Sequence, residues 1–125
     1  MVSGHLYVAA NGNIAPNPNA SNMFRNFTNL RNVDFGDCFD TSNVTNMARM
    51  FSGCSSLTGL DLSCFNTSMV TNMDQMFSNC SNLSYLNLSR FNVSKASMFN
   101  MFAGCDDLTN LVYSDSRILE VCRSR

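Results

Sequence analysis

The chain has 125 residues, of which 45% are hydrophobic and only 14% are charged, and its formal net charge is −1. This length is enough for one domain with a continuous core, and the absence of a basic patch or tail excludes binding to nucleic acid through phosphate neutralisation. No apolar run approaches the roughly 20 residues that cross a bilayer, so we expect no membrane insertion.

The N-terminal region, residues 1–20, is predicted to form a cap. His5–Val8 is predicted to be a first strand, and residues 11–19, which contain both prolines, are predicted to be a loop. The N-terminus has no basic stretch followed by a long apolar segment, so we expect no signal peptide. We expect the chain to be a processed or excised piece of a longer protein.

One pattern then repeats along the chain. Residues 39–64 and 65–90 are 26-residue copies without a gap, residues 91–114 are a shorter copy, and residues 21–38 are a partial one. A fixed period of this length is typical of solenoids and arrays, in which a single unit cannot bury its own apolar face. The repetition favours a stacked architecture and argues against most enzyme classes.

Equivalent apolar residues recur in every copy, and stacking the copies predicts one continuous core. The rows of equivalent residues include Phe39, Phe65 and Phe91; Met47, Met73 and Met98; the pairs Met50-Phe51, Met76-Phe77 and Met101-Phe102; and Leu60, Leu86 and Leu111. Methionine at helical spacing beside Phe and Leu is more often core than a soft-metal site.

Two periodicities alternate within each copy. Val44, Met47, Met50 and Phe51 have the spacing of a short helix, and Leu60-Asp61-Leu62 alternates like a strand with one buried face. The predicted N-caps are Ser42, Ser68 and Ser94. The predicted left-handed residues at the helix ends are Gly53, Asn79 and Gly104.

These elements define the expected fold. It is an α/β, leucine-rich-repeat-like, right-handed solenoid of about 3.5 coils, with a parallel β-sheet on one face and short helices on the other. Residues 115–125 are predicted to close it with a helix over 116–122, and a β-hairpin ending at Val121 is the alternative.

The six cysteines are expected to be free thiols. Cys54, Cys80 and Cys105 share one repeat position, which Phe27 fills in the partial copy, so that position favours a small apolar group. A disulfide between stacked coils is the alternative. There is no CxxC pair and His5 is remote, so we expect no zinc or other metal site. Titration in denaturant without reductant should therefore find six thiols.

The outward strand positions form the candidate binding surface. Tyr85 is the only aromatic residue among them, and Tyr is enriched at interface hot spots. The alternative is an ordinary solvated face. The candidate partner-binding residues are Tyr85, Asp61, Asp34, Asn87, Arg31 and Asn110.

Catalytic motifs are not apparent in the sequence. The single His5 cannot complete a Ser-His-Asp set with a central nucleophile, and the six glycines form no phosphate-binding motif. A hydrolase that uses the row Asp34, Asp61 and Asn87 is a weaker alternative. We expect a protein that is not an enzyme and that needs no cofactor.

The repeat F-[DN]-T-S-x-V-T-N-M-x-x-M-F-S-x-C-S-x-L-x-x-L-[DN]-L-S, over about residues 21–114, resembles that of the BspA-like bacterial surface proteins. In the third copy Lys95-Ala96-Ser97 replaces Met-Val-Thr-Asn and is one residue shorter. The resemblance implies an extracellular or cell-surface location. It also implies a non-catalytic binding module for adhesion, or for recognition of a protein or glycan on a host or neighbouring cell. The alternative is a structural spacer without a ligand of its own.

We expect the chain to be a monomer if the C-terminal helix covers the last coil. End-to-end or edge-to-edge self-association is the alternative, because open strand edges and open solenoid ends invite pairing.

Overall fold

The computed structural model describes residues 4–7, 16–36 and 39–125. Its strands are β1 (His5–Tyr7), β2 (Asn32–Asp34), β3 (Gly59–Asp61), β4 (Tyr85–Leu88) and β5 (Asn110–Tyr113), and helix α1 (Ser116–Arg123) follows them. β1 and β2 form one parallel sheet, and β3, β4 and β5 form a second. The described residues contain no helix long and apolar enough to cross a membrane.

The repeat sets the strand register. Leu60 pairs with Leu86, and Leu86 pairs with Leu111, so equivalent leucines are direct neighbours across the three-stranded sheet. Leu60 and Leu86 are buried and Leu111 is half-buried. The predicted parallel strands with one apolar face are therefore confirmed. The predicted single sheet is wrong, because no ladder joins β2 to β3 among the described residues.

The short helices predicted after Ser42, Ser68 and Ser94 do not form. Each copy instead contains a chain of turns, which we call a turn segment; the four turn segments are residues 20–26, 47–53, 73–79 and 98–104. The four stacked segments together are the turn stack. Its bonding pattern explains why the apolar spacing of a helix is present without a helix.

Alternate residues of a turn segment bond in two different directions. The amides of Met50 and Ser52 donate locally to the carbonyls of Met47 and Arg49, three residues back. The amides between them donate to the next copy along the chain, as Phe51 does to the Met76 carbonyl at 2.9 Å. Every second amide thus donates to a neighbouring copy, whereas in a helix it would donate to a carbonyl four residues back in its own copy.

Left-handed residues make this alternation possible. Gly53, Asn79 and Gly104 have φ values of 77°, 61° and 79°, as predicted. The helix prediction missed a second left-handed position, occupied by Arg49 and Gln75 with φ 57° and by Asn100 with φ 52°. Arg and Gln are good helix formers, so intrinsic propensity pointed to the wrong structure.

Several of the abundant Asn and Asp residues form turns in the stretches of chain that lead into the turn segments. The side chain of Asp40 accepts the Ser42 amide at 2.9 Å, and Asn66 and Asn92 accept the amides of Ser68 and Ser94 at 3.1 and 3.0 Å. The serines predicted as helix caps are therefore amide donors in Asx-turns.

Aromatic and methionine side chains fill the interior. Phe24, Phe51, Phe77 and Phe102 stack in order, with ring centroids 5.2, 5.7 and 5.8 Å apart. The predicted methionine core is confirmed at five positions with no exposed surface, which are Met47, Met50, Met73, Met76 and Met101.

The C-terminal segment covers the last copy with a helix, and the alternative hairpin does not form. Asp115 caps α1 by accepting the Arg117 amide, and its hydrogen bonds with Arg117 lower the Asp115 pKa to about 2. Ile118 and Cys122 are buried. The Arg125 guanidinium donates to the Cys105 carbonyl at 2.8 Å, which fixes the chain end.

A buried threonine side chain hydrogen-bonds the next copy in two of the copies, and the last copy has valine at that position. Thr67 Oγ1 donates to the Asn92 carbonyl at 3.0 Å and accepts the Asn92 amide at 2.8 Å, and Thr41 does the same with Asn66. The equivalent residue in the last copy is the buried Val93. A hydroxyl at that position would have no later copy to bond.

Replacing Leu86 by Ala should lower the free energy of unfolding by about 2 to 5 kcal/mol, because it opens a cavity in the central strand. The matched control is Val112→Ala on the outward face of β5, with an expected loss under about 0.5 kcal/mol. Urea denaturation measures both. A loss under about 0.5 kcal/mol for Leu86→Ala would contradict the register.

Replacing Thr67 by Val should cost about 1 to 3 kcal/mol, because it leaves both peptide groups at Asn92 without their partner. Val has nearly the same shape as Thr, so packing is kept. Thermal and urea unfolding measure the effect. An unchanged stability would show that the hydroxyl does not link the copies.

Candidate functional site

A cleft opens on the outward side of the strands, where the two sheets meet. We call it the sheet cleft; its volume is about 570 Å³. The residues that line it come from β1, β2, β3, the start of β4 and the loops after β2 and β3. They are His5, Asn32, Val33, Asp34, Phe35, Gly36, Thr58, Gly59, Leu60, Asp61, Ser63, Cys64 and Tyr85.

The cleft begins where the two sheets part. The Thr58 amide still donates to the Arg31 carbonyl, at 3.3 Å, just before β2 and β3 begin. Phe35 and Phe39 are four positions apart, whereas the equivalent pair Leu62 and Phe65 are three apart. The extra residue follows β2, and Gly36 takes φ 63° there. The inserted residue therefore follows the strand at which the first sheet ends.

Two exposed carboxylates line the cleft, Asp34 from β2 of one sheet and Asp61 from β3 of the other. Asp34 Oδ1 accepts the Gly36 amide and Asp61 Oδ1 accepts the Ser63 amide, both at 2.9 Å. These Asx-turns fix both side chains at the ends of their strands. Within the described residues Oδ2 of each accepts no hydrogen bond, so each keeps a fixed, charged acceptor for a ligand.

An aromatic ring completes the wall formed by β3 and β4. Tyr85 is half-buried and pairs in register with Gly59. A Cβ atom on Gly59 would lie 3.8 Å from Tyr85 Cδ2, so the ring lies beside a bare stretch of backbone. The cleft thus combines an aromatic face with two carboxylates, a combination typical of surfaces that bind partners.

The structure groups three of the six predicted candidate residues in the cleft. Tyr85, Asp61 and Asp34 line it, whereas the other three lie outside its lining. Asn87 forms its own Asx-turn with the Ser89 amide at 2.9 Å. Asn110 pairs with Tyr85 on the far side of β4, and Arg31 is exposed just before β2.

Sequence reasoning missed the contribution of β1. His5 was placed apart from the candidate surface, but it pairs with Asn32 and lines the cleft. Tyr85, Gly59 and Asn32 occupy equivalent outward positions on successive strands. Extending that row of equivalent positions to the predicted first strand would have identified His5 as a lining residue. Ser63 and Cys64 were also missed as lining residues, because the sheet break was not predicted.

Three cysteines form a buried row away from the cleft. The thiols of Cys54, Cys80 and Cys105 donate to the carbonyls of Phe24, Phe51 and Phe77 at 3.1, 3.1 and 3.0 Å. Burial raises the pKa of Cys54 and of Cys105 to about 11, and it raises the pKa of Cys80 further. These thiols are neutral structural groups at neutral pH.

The other cysteines differ in their surroundings. Cys122 is a buried free thiol, Cys64 is exposed in the cleft, and Cys38 lies outside the described residues. Phe27, at the position equivalent to the buried Cys54, is 43% exposed, and among the described residues no earlier turn segment covers it. In residues 4–7, 16–36 and 39–125, no group of three His, Cys, Asp or Glu side chains is placed to hold a metal ion.

Parallel strands linked by recurring turn segments define a repeat-type domain. The chain belongs to the family described as Mycoplasma protein of unknown function, DUF285, whose match covers residues 18–117. No curated protein and no solved structure matches the chain.

Thiol labelling tests the buried cysteine row. In the folded protein at pH 7 to 8, Cys54, Cys80 and Cys105 should react with maleimide far more slowly than Cys64, because little thiolate forms below a pKa of about 11. Mass spectrometry of digests measures each site, and urea should make the three sites reactive. Equal rates for Cys80 and Cys64 in the folded protein would contradict the burial.

Proposed function

We propose that this protein is a non-catalytic binding module of a bacterial cell-surface protein, and that it recognises a partner protein or glycan through the sheet cleft. The observation that carries the proposal is the meeting of Tyr85, Asp34 and Asp61 in one open cleft of about 570 Å³. Binding sites characteristically combine an aromatic surface with a few fixed polar groups.

The proposed architecture is a BspA-like, leucine-rich-repeat-like solenoid. Three features support it: equivalent leucines pair between strands, phenylalanine rings stack from copy to copy, and turn segments bond only their neighbours. Crossovers between parallel strands are almost always right-handed, which supports the right-handed form. The cell-surface location rests on the resemblance of the repeat to the BspA-like proteins.

The chemistry of the cleft favours a partner rich in hydrogen-bond donors. Two carboxylates with an unengaged Oδ2 suit the hydroxyls of a sugar or the cationic side chains of a protein. Both carboxylates are exposed and held in turns, without the enclosed, water-excluding surroundings of a hydrolytic site. This supports a binding role over hydrolysis.

A structural spacer is the second candidate function. The turn stack supports it, because units that bond only their neighbours form a rod that can hold a distant domain away from the cell wall. The cleft distinguishes the two functions, since a spacer has no need of it.

Binding measurements with three variants test the proposal. Asp34→Asn with Asp61→Asn removes both charges but keeps the Asx-turns, since Asn87 forms the same turn in the next copy. Tyr85→Ala removes the ring. The matched control is Asp106→Asn with Asp107→Asn, which removes two exposed charges outside the cleft lining.

Purified protein is screened against matrix proteins and a glycan array, and each hit is titrated. We expect a partner whose Kd rises at least about tenfold in both cleft variants and is unchanged in the control. A partner unaffected by the cleft variants would place the site elsewhere, and no partner at all would favour the spacer.

A further inference from the structure

The turn stack ends at its C-terminal side in a row of amides without acceptors. In the three earlier turn segments every second amide donates to the next copy. In the last segment the equivalent amides have no acceptor among residues 4–7, 16–36 and 39–125. We call this row the donor edge; it consists of the N–H groups of Met98, Asn100, Phe102 and Gly104.

The opposite end of the turn stack carries the complementary row. In the later turn segments every second carbonyl accepts an amide from the preceding copy, but the first segment has no preceding one in the described chain. Its equivalent carbonyls accept no hydrogen bond from the described residues. We call this row the acceptor edge; it consists of the C=O groups of Asn19, Ser21, Met23 and Arg25.

Within one molecule, rows of amides like the donor edge bond rows of carbonyls like the acceptor edge at three places. Between successive turn segments, four amides of one segment meet four carbonyls of the next at 2.7 to 3.0 Å. All the donors point toward the C-terminal end and all the acceptors toward the N-terminal end. The two outer edges therefore have opposite partial charges and the spacing of an interface that the protein already forms.

Apolar side chains are exposed beside both edges. Phe99 is 68% exposed, whereas the equivalent residues in the earlier copies are Ser21, Ala48 and Asp74. At the acceptor edge Met23 and Phe27 are 37% and 43% exposed, whereas their equivalents in the next copy are fully buried. Both edges thus retain apolar surface that a further copy would cover.

Helix α1 covers the last copy but leaves Asn100 of the donor edge exposed and Met98 and Gly104 half-buried. It packs against β5, and one wall of a groove of about 310 Å³ is formed by Val121 of the helix and by Ser124 and Arg125 after it. Met98, Asn100 and Phe102 form the other wall. Phe102 has no exposed surface, and its amide is buried without an acceptor among the described residues, which costs free energy.

We propose that the donor edge binds the acceptor edge of a second copy of this chain, so that the turn stack continues from one molecule into the next. The contact is heterologous: each molecule uses one edge and keeps the other available. Association of this kind gives open head-to-tail chains unless a rotation closes a ring. This surface is separate from the sheet cleft and does not depend on the proposed function.

Two edge variants and one control test the proposal. Phe99→Ser alters the donor edge with the residue found at the same position of the first copy. Met23→Ser with Phe27→Ser alters the acceptor edge. Met69→Lys is the matched control: Met69 is 50% exposed in the copy at residues 65–90, and the last copy, at residues 91–114, has Lys95 in that position.

Sedimentation velocity and light scattering over a wide concentration range, with reductant present to exclude disulfide dimers, measure the association. The wild type and Met69→Lys should form concentration-dependent oligomers, and each edge variant should weaken self-association at least about tenfold. Melting temperatures equal to that of the wild type verify that each variant is folded. If Phe99→Ser is unfolded, Phe99→Ala takes its place.

Mixing the two edge variants gives the decisive result. One variant keeps an intact acceptor edge and the other an intact donor edge, so the mixture should form a 1:1 dimer and stop there. A wild type that stays monomeric at every concentration would overturn the proposal. Edge variants that associate like the wild type, or a mixture without the 1:1 dimer, would do the same.

Discussion

The structure depends on one constraint, the pairing of peptide groups between copies in the turn stack. A buried amide or carbonyl must find a partner, and a helix would satisfy it within its own copy. Here every second amide bonds the neighbouring copy, at 2.7 to 3.0 Å. The sheet then has the same repeat length as the turn stack, so equivalent leucines and phenylalanines stack in register.

The unusual composition follows from this constraint. Alternate bonding requires left-handed residues, and Asn and Gly tolerate that conformation best. Asx-turns between the segments require more Asn and Asp, and the buried Thr41 and Thr67, whose hydroxyls link copies, have hydrogen-bond partners. In the described chain no buried side-chain nitrogen or oxygen lacks a partner. The length of the repeat changes at two places: one residue is missing at Lys95-Ala96-Ser97, and one extra residue follows β2, a strand that lines the cleft we propose as the binding site.

Much of the frame could be predicted from the sequence, because the repeat reports which residues are equivalent. The strands, the core rows and the left-handed ends of the turn segments follow from it, whereas α1 was predicted separately, from the residues that follow the last copy. The prediction of short helices was wrong because Met47, Met50 and Phe51 have helical spacing. No signal in the neighbouring sequence shows that Arg49 and Gln75 have left-handed backbone conformations. The cleft was predicted only in part: Tyr85, Asp61 and Asp34 were identified, but a sheet break arises from long-range geometry that pattern analysis does not contain.

Amide hydrogen exchange on the monomeric Phe99→Ser variant measures the bonding between copies residue by residue. Pairing between copies should give uniform protection over Met73–Asn79, where every amide is hydrogen-bonded, and alternating protection over 98–105. There Met101, Ala103 and Cys105 should be protected, and Asn100 and Gly104 should exchange quickly. A helix would bond its amides to its own carbonyls and give continuous protection from Phe102 to Cys105. That result would rule out pairing between copies in the turn stack.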